Sequence, residues 1–285
     1  MTTIIIGQTA LEISAQMDIP GRKMEFEFDL DSLPRYWHGG DIFKTTYNNA
    51  LSCLFPEGER MFIDAVRDNQ HFVKDEVLLN QVKGFIKQEA IHGHEHAQFN
   101  KYLDSLGYPA SKVEAFEKKE KILMKKYVPA IGRLAITSAV EHFTAIMAHD
   151  LLTNPKSSEG MDEKFKALWM WHAVEETEHK AVAFDVYKQA GGGYIRRIIA
   201  MMIVTIMFCL RVSTVQAIFL WKDGKLFSPK VWMQGIRMYF GKNGLVKNIW
   251  KDYIDYYRPS FHPWDHDNRE LLQEWIAKGQ SYKAV

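Results

Sequence analysis

Residues 78–103, LLNQVKGFIKQEAIHGHEHAQFNKYL, place Leu78, Val82, Phe85, Glu89, His92, His96, Phe99 and Leu103 at alternating spacings of four and three. That spacing is the inward stripe of a helix in a bundle. Glu89, His92 and His96 therefore fall inside an otherwise apolar seam. Each buried polar group left unsatisfied costs about 1–3 kcal/mol. Metal ligation is the economical explanation for three of them in a row.

The quartet Glu89-Ala90-Ile91-His92 has a counterpart in Glu176-Thr177-Glu178-His179. Each sets a carboxylate and an imidazole one turn apart on one helix face. Two such helices, with one further Glu from each of two others, make the ligand set of a carboxylate-bridged dinuclear site. Glu59 and Glu141 are placed to complete it. Antiparallel neighbours come level when they are equidistant from the turn between them. Glu59 and Glu89 have their midpoint at Lys74, beside Asp75, a candidate N-cap. Glu141 and Glu176 have theirs near Ser158, inside the loop Asn154–Gly160.

The expected fold is all-α: a ferritin-like four-helix bundle with one long crossover, plus additional C-terminal helices. Residues 1–40 read as an irregular N-terminal segment punctuated by Pro20, Gly21, Pro34, Gly39 and Gly40. Residues 41–190 read as the metal-binding bundle, with 111–127 as a charged crossover helix and a fourth helix running from about Phe165 to Gly191. Residues 191–285 read as a hydrophobic helical extension packed on it. Phe55-Pro56 reads as an interruption, with Pro56 opening the helix that carries Glu59.

The expected metal ligands are Glu59, Glu89, His92, Glu141, Glu176 and His179. Glu59 and His92 belong mainly to one ion, and Glu141 or Glu176 with His179 to the other. Glu175 is the alternative to Glu176, and Glu178 is expected to point away. Oxygen and imidazole donors without thiolate suit two ions of Fe first, Mn next and Zn less. His96 and His172 each continue an inward stripe one turn further. They are candidates for extra ligands, for catalytic proton donors, or for hydrogen-bonding support of the ligands. His94 and His142 fall off the stripes; Asp185 is a candidate acceptor behind the ligands, and Thr137 a candidate on the substrate side.

The segments Phe55-Pro56-Glu57-Gly58-Glu59, Gln88-Glu89 with His92 and His96, Glu141-His142, and WMWHAVEETEHK (169–180) with Ala183-Phe184-Asp185 resemble a bacterial family described as predicted metal-dependent hydrolases. Arg258-Pro259-Ser260-Phe261-His262-Pro263-Trp264 resembles its closing motif. The resemblance spans roughly 30–267 and implies metal binding at the positions above.

Ile198 to Leu220 is the most apolar stretch. It reads first as a buried or subunit-contact helix, which leaves a homodimer open, next as a membrane-surface element within 196–222, and last as a true span, because Arg211 and Gln216 interrupt it. Net charge is +1, with 36 Lys and Arg against 35 Asp and Glu. That balance makes no case for nucleic acid. Two cysteines suit a reducing compartment, and the expected location is the cytoplasm, with peripheral contact at the inner membrane surface. The ligand pattern favours a non-haem di-iron or Fe/Mn oxidoreductase that activates dioxygen, drawing electrons from an external donor and acting on a small, lipophilic organic substrate. The alternative is a dinuclear metal-dependent hydrolase using a bridging hydroxide; an iron-storage or ferroxidase protein is the third reading.

Overall fold

A computed structural model of the chain describes residues 7–24, 26 and 33–277, and the backbone of 283–284. Residues 1–6, 25, 27–32, 278–282 and 285 lie outside the described residues. The architecture is an all-α helical bundle. Extended structure among the described residues is limited to Arg22–Lys23 paired antiparallel with Lys283–Ala284 and one bridge between His38 and Met161.

Among its described residues, the segment read as an irregular N-terminal stretch contains one helix, α1 (Ala10–Gln16). A capping box builds it: the Thr9 hydroxyl accepts from the Glu12 amide, and the Glu12 carboxylate accepts from the Thr9 amide.

Helix α2 (Ile42–Asn69) is capped by Asp41, whose carboxylate accepts from the Lys44 amide. It does not restart at Pro56 but runs through it. Proline removes the amide that would bond the carbonyl four residues back, here that of Ser52. Asn100 Nδ2, on the facing helix, donates to that carbonyl at 3.1 Å. The loss at Pro56 is thus made good across the helix pair.

Helix α3 (Glu76–Ser105) starts at Asp75, which accepts from the Val77 amide. It ends before Gly107, whose φ of +86° only glycine adopts cheaply. All eight residues of its inward stripe are buried. Gly93 lets α3 approach α2 closely, since a Cβ there would lie 3.0 Å from Glu59 Oε2 and 3.7 Å from the Pro56 Cα. Gly93→Ala is expected to displace Glu59 and cost about 1–3 kcal/mol, the usual range for overpacking. Thermal unfolding and metal titration of the variant check both effects.

Helix α4 (Ala110–Tyr127) is the crossover, and α5 (Ala130–Thr153) follows it, buried along most of its length. The 154–160 loop holds a single turn, α6 (Pro155–Ser158), capped by Asn154. The fourth segment is not the continuous helix the sequence predicts. It divides into α7 (Glu163–His179) and α8 (Val182–Gln189). At the break, buried Lys180 donates to the carbonyl of His266 at 2.7 Å and to Asn268 Oδ1 at 2.8 Å.

Helix α9 (Tyr194–Lys222) is long and apolar enough to cross a membrane by length and composition. One stripe of it, including Ala200, Met201, Val204, Val212 and Phe219, is buried; the opposite stripe is exposed. It is neither buried all round nor free of the bundle. With α10 (Pro229–Phe240) and α11 (Leu245–Asp255) it forms a layer over α2 and α5. The chain closes with α12 (Arg269–Ala277). Before it, Arg197 of α9 donates to the carbonyls of Arg258 and Phe261, and His262 pairs with Asp185 of α8 at 2.9 Å.

Candidate metal centre

On α3 the polar pair Glu89 and His92 sits between Phe85, in one apolar core cluster, and Phe99, in another. The other helices deliver their polar groups to the same level. Glu59 comes from α2, Glu141 from α5, and Glu176 and His179 from α7. None of the six is more than 3% exposed. They form three overlapping groups whose donor atoms lie within 4.8 Å of one another: Glu59, His92 and His172; Glu89, His92 and Glu176; Glu89, Glu141 and His179. His179 Nε2 stands 3.1 Å from Glu89 Oε1, 3.5 Å from Glu141 Oε2 and 3.6 Å from Glu176 Oε1. The structure thus brings together all six residues expected as ligands, with His172, one of the two candidates for an extra ligand.

Both oxygens of Glu59, Glu89 and Glu141, with Glu176 Oε2, His92 Nδ1 and His179 Nε2, are buried without a hydrogen-bond partner. Buried polar groups are rarely left so. Here the orphans converge on one place, which is what a cation site requires.

The hydrogen bonds behind the histidines say which ring nitrogens face the cluster with a lone pair. Gln88 Nε2 donates to the Pro20 carbonyl and to Glu178, so its Oε1 must be the atom that accepts from His179 Nδ1 at 2.8 Å. His179 Nε2 is left unprotonated in the neutral ring, aimed at the carboxylates. His92 Nε2 lies 3.0 Å from Glu175 Oε2, which leaves Nδ1 free toward Glu176.

The third chain is longer. Asn100 Nδ2 donates to the Ser52 carbonyl and to Glu114, so its Oδ1 accepts from Ser52 Oγ. Ser52 Oγ then accepts from His96 Nδ1 at 2.9 Å, and His96 Nε2 accepts from His172 Nδ1 at 2.8 Å. His172 Nε2 is left with a lone pair 3.0 Å from Glu176 Oε1. Two acceptors at that distance need a proton or a cation between them. Three relays of hydrogen bonds therefore present three imidazole nitrogens to four carboxylates. That donor set, all oxygen and nitrogen, fits Fe, Mn or Zn.

Electrostatics point the same way. Burial, then the neighbouring Glu89, Glu176 and Glu141 carboxylates, push Glu59 well above the usual carboxylate range. Burial, then Glu89 and Glu176, do the same to Glu141. Burial works against charge on His179, but Glu176, Glu89 and Glu141 outweigh it and hold the imidazolium form well above its ordinary pKa. Protons must supply the balancing charge when no cation does.

Glu175 and Glu178 face away from the cluster toward Arg22. The guanidinium bonds Glu175 Oε1 at 3.1 Å and both oxygens of Glu178 at 2.6 and 2.5 Å. Glu175, the alternative to Glu176, thus bonds Arg22 and His92, while Glu176 is the residue in a donor group. Glu178 points away as expected, yet is buried. Burial raises the Glu175 pKa to about 7 even against the pull of Arg22. Arg22 carries no local signal of this role, because its partners lie about 150 residues away. Gln88 was legible only as the neighbour of Glu89.

Other candidates lie elsewhere. His94 is exposed, and His142 Nε2 bonds the Asp252 carbonyl at 3.0 Å. Asp185 accepts from Ser14 and pairs with His262, so it braces the closing motif and not the ligands. Thr137 is buried one turn from Glu141 but does not line the cavity described next; Thr144 does.

A cavity of about 620 Å³ leads from the cluster to the surface. His172 and Glu176 form its buried end. Leu51, Phe55, Met147, Leu151 and Trp169 line its walls, and Lys44, Lys156, Arg237 and Lys242 stand along its more exposed parts. Among the described residues, no carboxylate lies within ion-pair distance of Lys44, Arg237 or Lys242, whereas Lys156 pairs with Glu159.

No curated protein and no solved structure matches the chain. Residues 20–267 do match a family, described as predicted metal-dependent hydrolase. With most of its length covered, and with a donor set that fits a metal at the heart of the match, the chain belongs to that metal-dependent family.

Proposed function

We propose that the chain is a dinuclear metal-dependent hydrolase acting on an amphiphile, an apolar chain that carries an anionic head. The observation that carries the metal reading is the convergence of three imidazole nitrogens, each backed by a hydrogen bond at its other nitrogen, on four buried carboxylates. Family membership favours hydrolysis. Glu59, His92 and His172 would hold one ion, Glu89, Glu141 and His179 the other, with Glu176 between them. When bound, the ions would lower the pKa of water and polarise the bond to be cleaved.

The chain's own residues do the rest. The apolar walls around Phe55 and Trp169 exclude bulk water from the cavity floor. Arg237 and Lys242 bind the head, which orients the chain toward that floor. Glu176 and His172 stand at that floor, where they would hold the ions facing the bond to be cleaved. His96 does not line the cavity; tied between Ser52 and His172, it positions the His172 ring.

A second reading, oxygen-dependent oxidation of the same substrate class at a di-iron centre, is favoured by the donor set. A Glu-x-x-His motif on each of two helices with single glutamates from two more is the ligand pattern of di-iron carboxylate bundles. It requires an external electron donor.

Turnover of long-chain esters with a carboxylate or phosphate head, under nitrogen and with Mn, Zn or Fe supplied, separates the two. Hydrolysis that depends on metal and ignores oxygen is expected. Arg237→Glu is expected to raise KM about tenfold with little change in kcat, because it removes binding equal in ground and transition states. Activity confined to iron, reductant and oxygen would replace the hydrolase by the oxidase.

A further inference from the structure

The layer formed by α9, α10 and α11 has an outer face that nothing in the described chain covers. On α9, Ile199, Ile203, Ile206 and Leu210 follow spacings of four and three and are all exposed, Ile206 by 61%. On α10, Trp232, Ile236 and Phe240 repeat every four residues, with Phe240 70% exposed. Trp250 and Ile254 do the same on α11. Exposed apolar stripes on three helices of one layer mark an interaction surface.

Charge identifies the occupant. Residues 194–255, the three helices with their turns, contain ten Lys and Arg and three acidic residues, Asp223, Asp252 and Asp255, of which the last two pair with His266. Asp223 is itself taken up by Arg35, Tyr36 and Tyr108. The rest of the chain holds 26 Lys and Arg against 32 Asp and Glu, so this layer is net positive while the remainder is net negative. Lys222, Lys230, Lys247 and Lys251 are exposed among the apolar stripes. A second copy of the same face would bring these charges together, which disfavours self-association. An anionic surface with an apolar interior satisfies both features.

We propose that the α9–α11 layer docks the protein on the surface of an anionic lipid bilayer. Docking is parallel to the membrane and not across it. The inner stripe of α9 is buried from Ala200 to Leu220 against α2 and α5, so the helix cannot leave the bundle to span. Aromatic residues and lysines at the edges of the apolar stripes are the composition of an interfacial helix. Arg237 and Lys242, at the cavity opening, belong to α10 and the turn after it. Docking therefore sets that opening against the lipid headgroups.

The test is co-sedimentation of the metal-loaded full chain with phosphatidylcholine vesicles, with and without phosphatidylglycerol. Partitioning is expected to be at least about tenfold stronger on the anionic vesicles and to weaken in about 0.5 M salt, as screened surface attraction does. The charge reversals K230E, K247E and K251E together, and Ile206→Asp alone, should each lower it about tenfold with the melting temperature unchanged. If a variant does not fold, lipid and salt dependence of the unaltered chain decide alone. Equal, weak binding to both vesicle types overturns the proposal. So does a dimer that Ile206→Asp dissociates, which would make the face a contact between copies. The assay reads no chemistry, so its failure leaves the hydrolytic reading standing, and the reverse holds.

Discussion

Glu141→Gln is expected to make the metal-free protein more stable, not less, while abolishing its response to metal. Glu141 is buried beside Glu89 and Glu176, with neither of its oxygens hydrogen-bonded. An ion there has lost water and gained like charges; a proton there must be held against the solution. The amide keeps the shape and removes the ionisation. A buried ion costs several kcal/mol, of which the amide's own unpaired groups take back part, so the net relief is on the order of 1–3 kcal/mol. For a chain of this size each kcal/mol moves Tm by roughly 2–4 °C, so a rise of several degrees is expected.

The pH dependence has a definite sign. Glu59 and Glu141 have pKa values raised in the folded state, so the native protein binds more protons than the unfolded one above the ordinary carboxylate pKa. Metal-free stability should therefore fall as pH rises from that value toward the raised ones. The slope should be shallower in Glu141→Gln. Metal should reverse the trend in the unaltered chain, because cations replace the protons and binding strengthens as the ligands ionise. Melting curves across pH, with and without Mn, measure all of this. A lower Tm for metal-free Glu141→Gln at neutral pH would show that the carboxylate is stabilised by something other than a cation.

The second large effect is expected at Arg22. Its guanidinium is 2% exposed and bonds both Glu175 and Glu178. Breaking a buried ion pair by removing one partner costs about 3–5 kcal/mol, because the other charge is left uncompensated. Arg22→Met should lower Tm by roughly 10 °C. It should also weaken metal binding, since Glu175 holds His92 and Glu178 holds Gln88, which in turn orients His179. Adding Glu178→Met should restore much of the stability but not the metal affinity. Calorimetry and metal titration of the two variants separate these contributions. Full recovery of both would leave Arg22 and Glu178 as a structural pair with no bearing on the ligands.

The residues that face the cluster were legible because helical periodicity and equal distance from a turn are properties of the chain itself. Glu89 with His92 and Glu176 with His179 repeat a spacing, and Glu59 and Glu141 fall level with them. The hydrogen bonds behind those residues were not legible. They run between segments remote in sequence, as from Ser52 to His96 or from Arg22 to Glu178, and no local pattern reports such a contact.

Pro56 misled for a related reason. Proline normally opens or breaks a helix, and only Asn100, on another helix, allows α2 to continue. At Lys180 the side chain is anchored by residues 266 and 268, more than 80 positions on, so the division between α7 and α8 has no local warning. The apolar run at 198–220 showed its hydrophobicity but not which stripe the bundle would take. The cavity walls, drawn from α2, α5, α7 and α10, could not be assembled without the fold.

The Glu and His cluster is proposed to hold two metal ions. The most direct test is the metal content of the protein after anaerobic loading with Fe or Mn and removal of excess, measured by elemental analysis beside His179→Ala. Two ions per chain, falling to one or none in the variant while the helical fold persists, is the predicted result. No retained metal, or a stoichiometry that His179→Ala leaves unchanged, would contradict it.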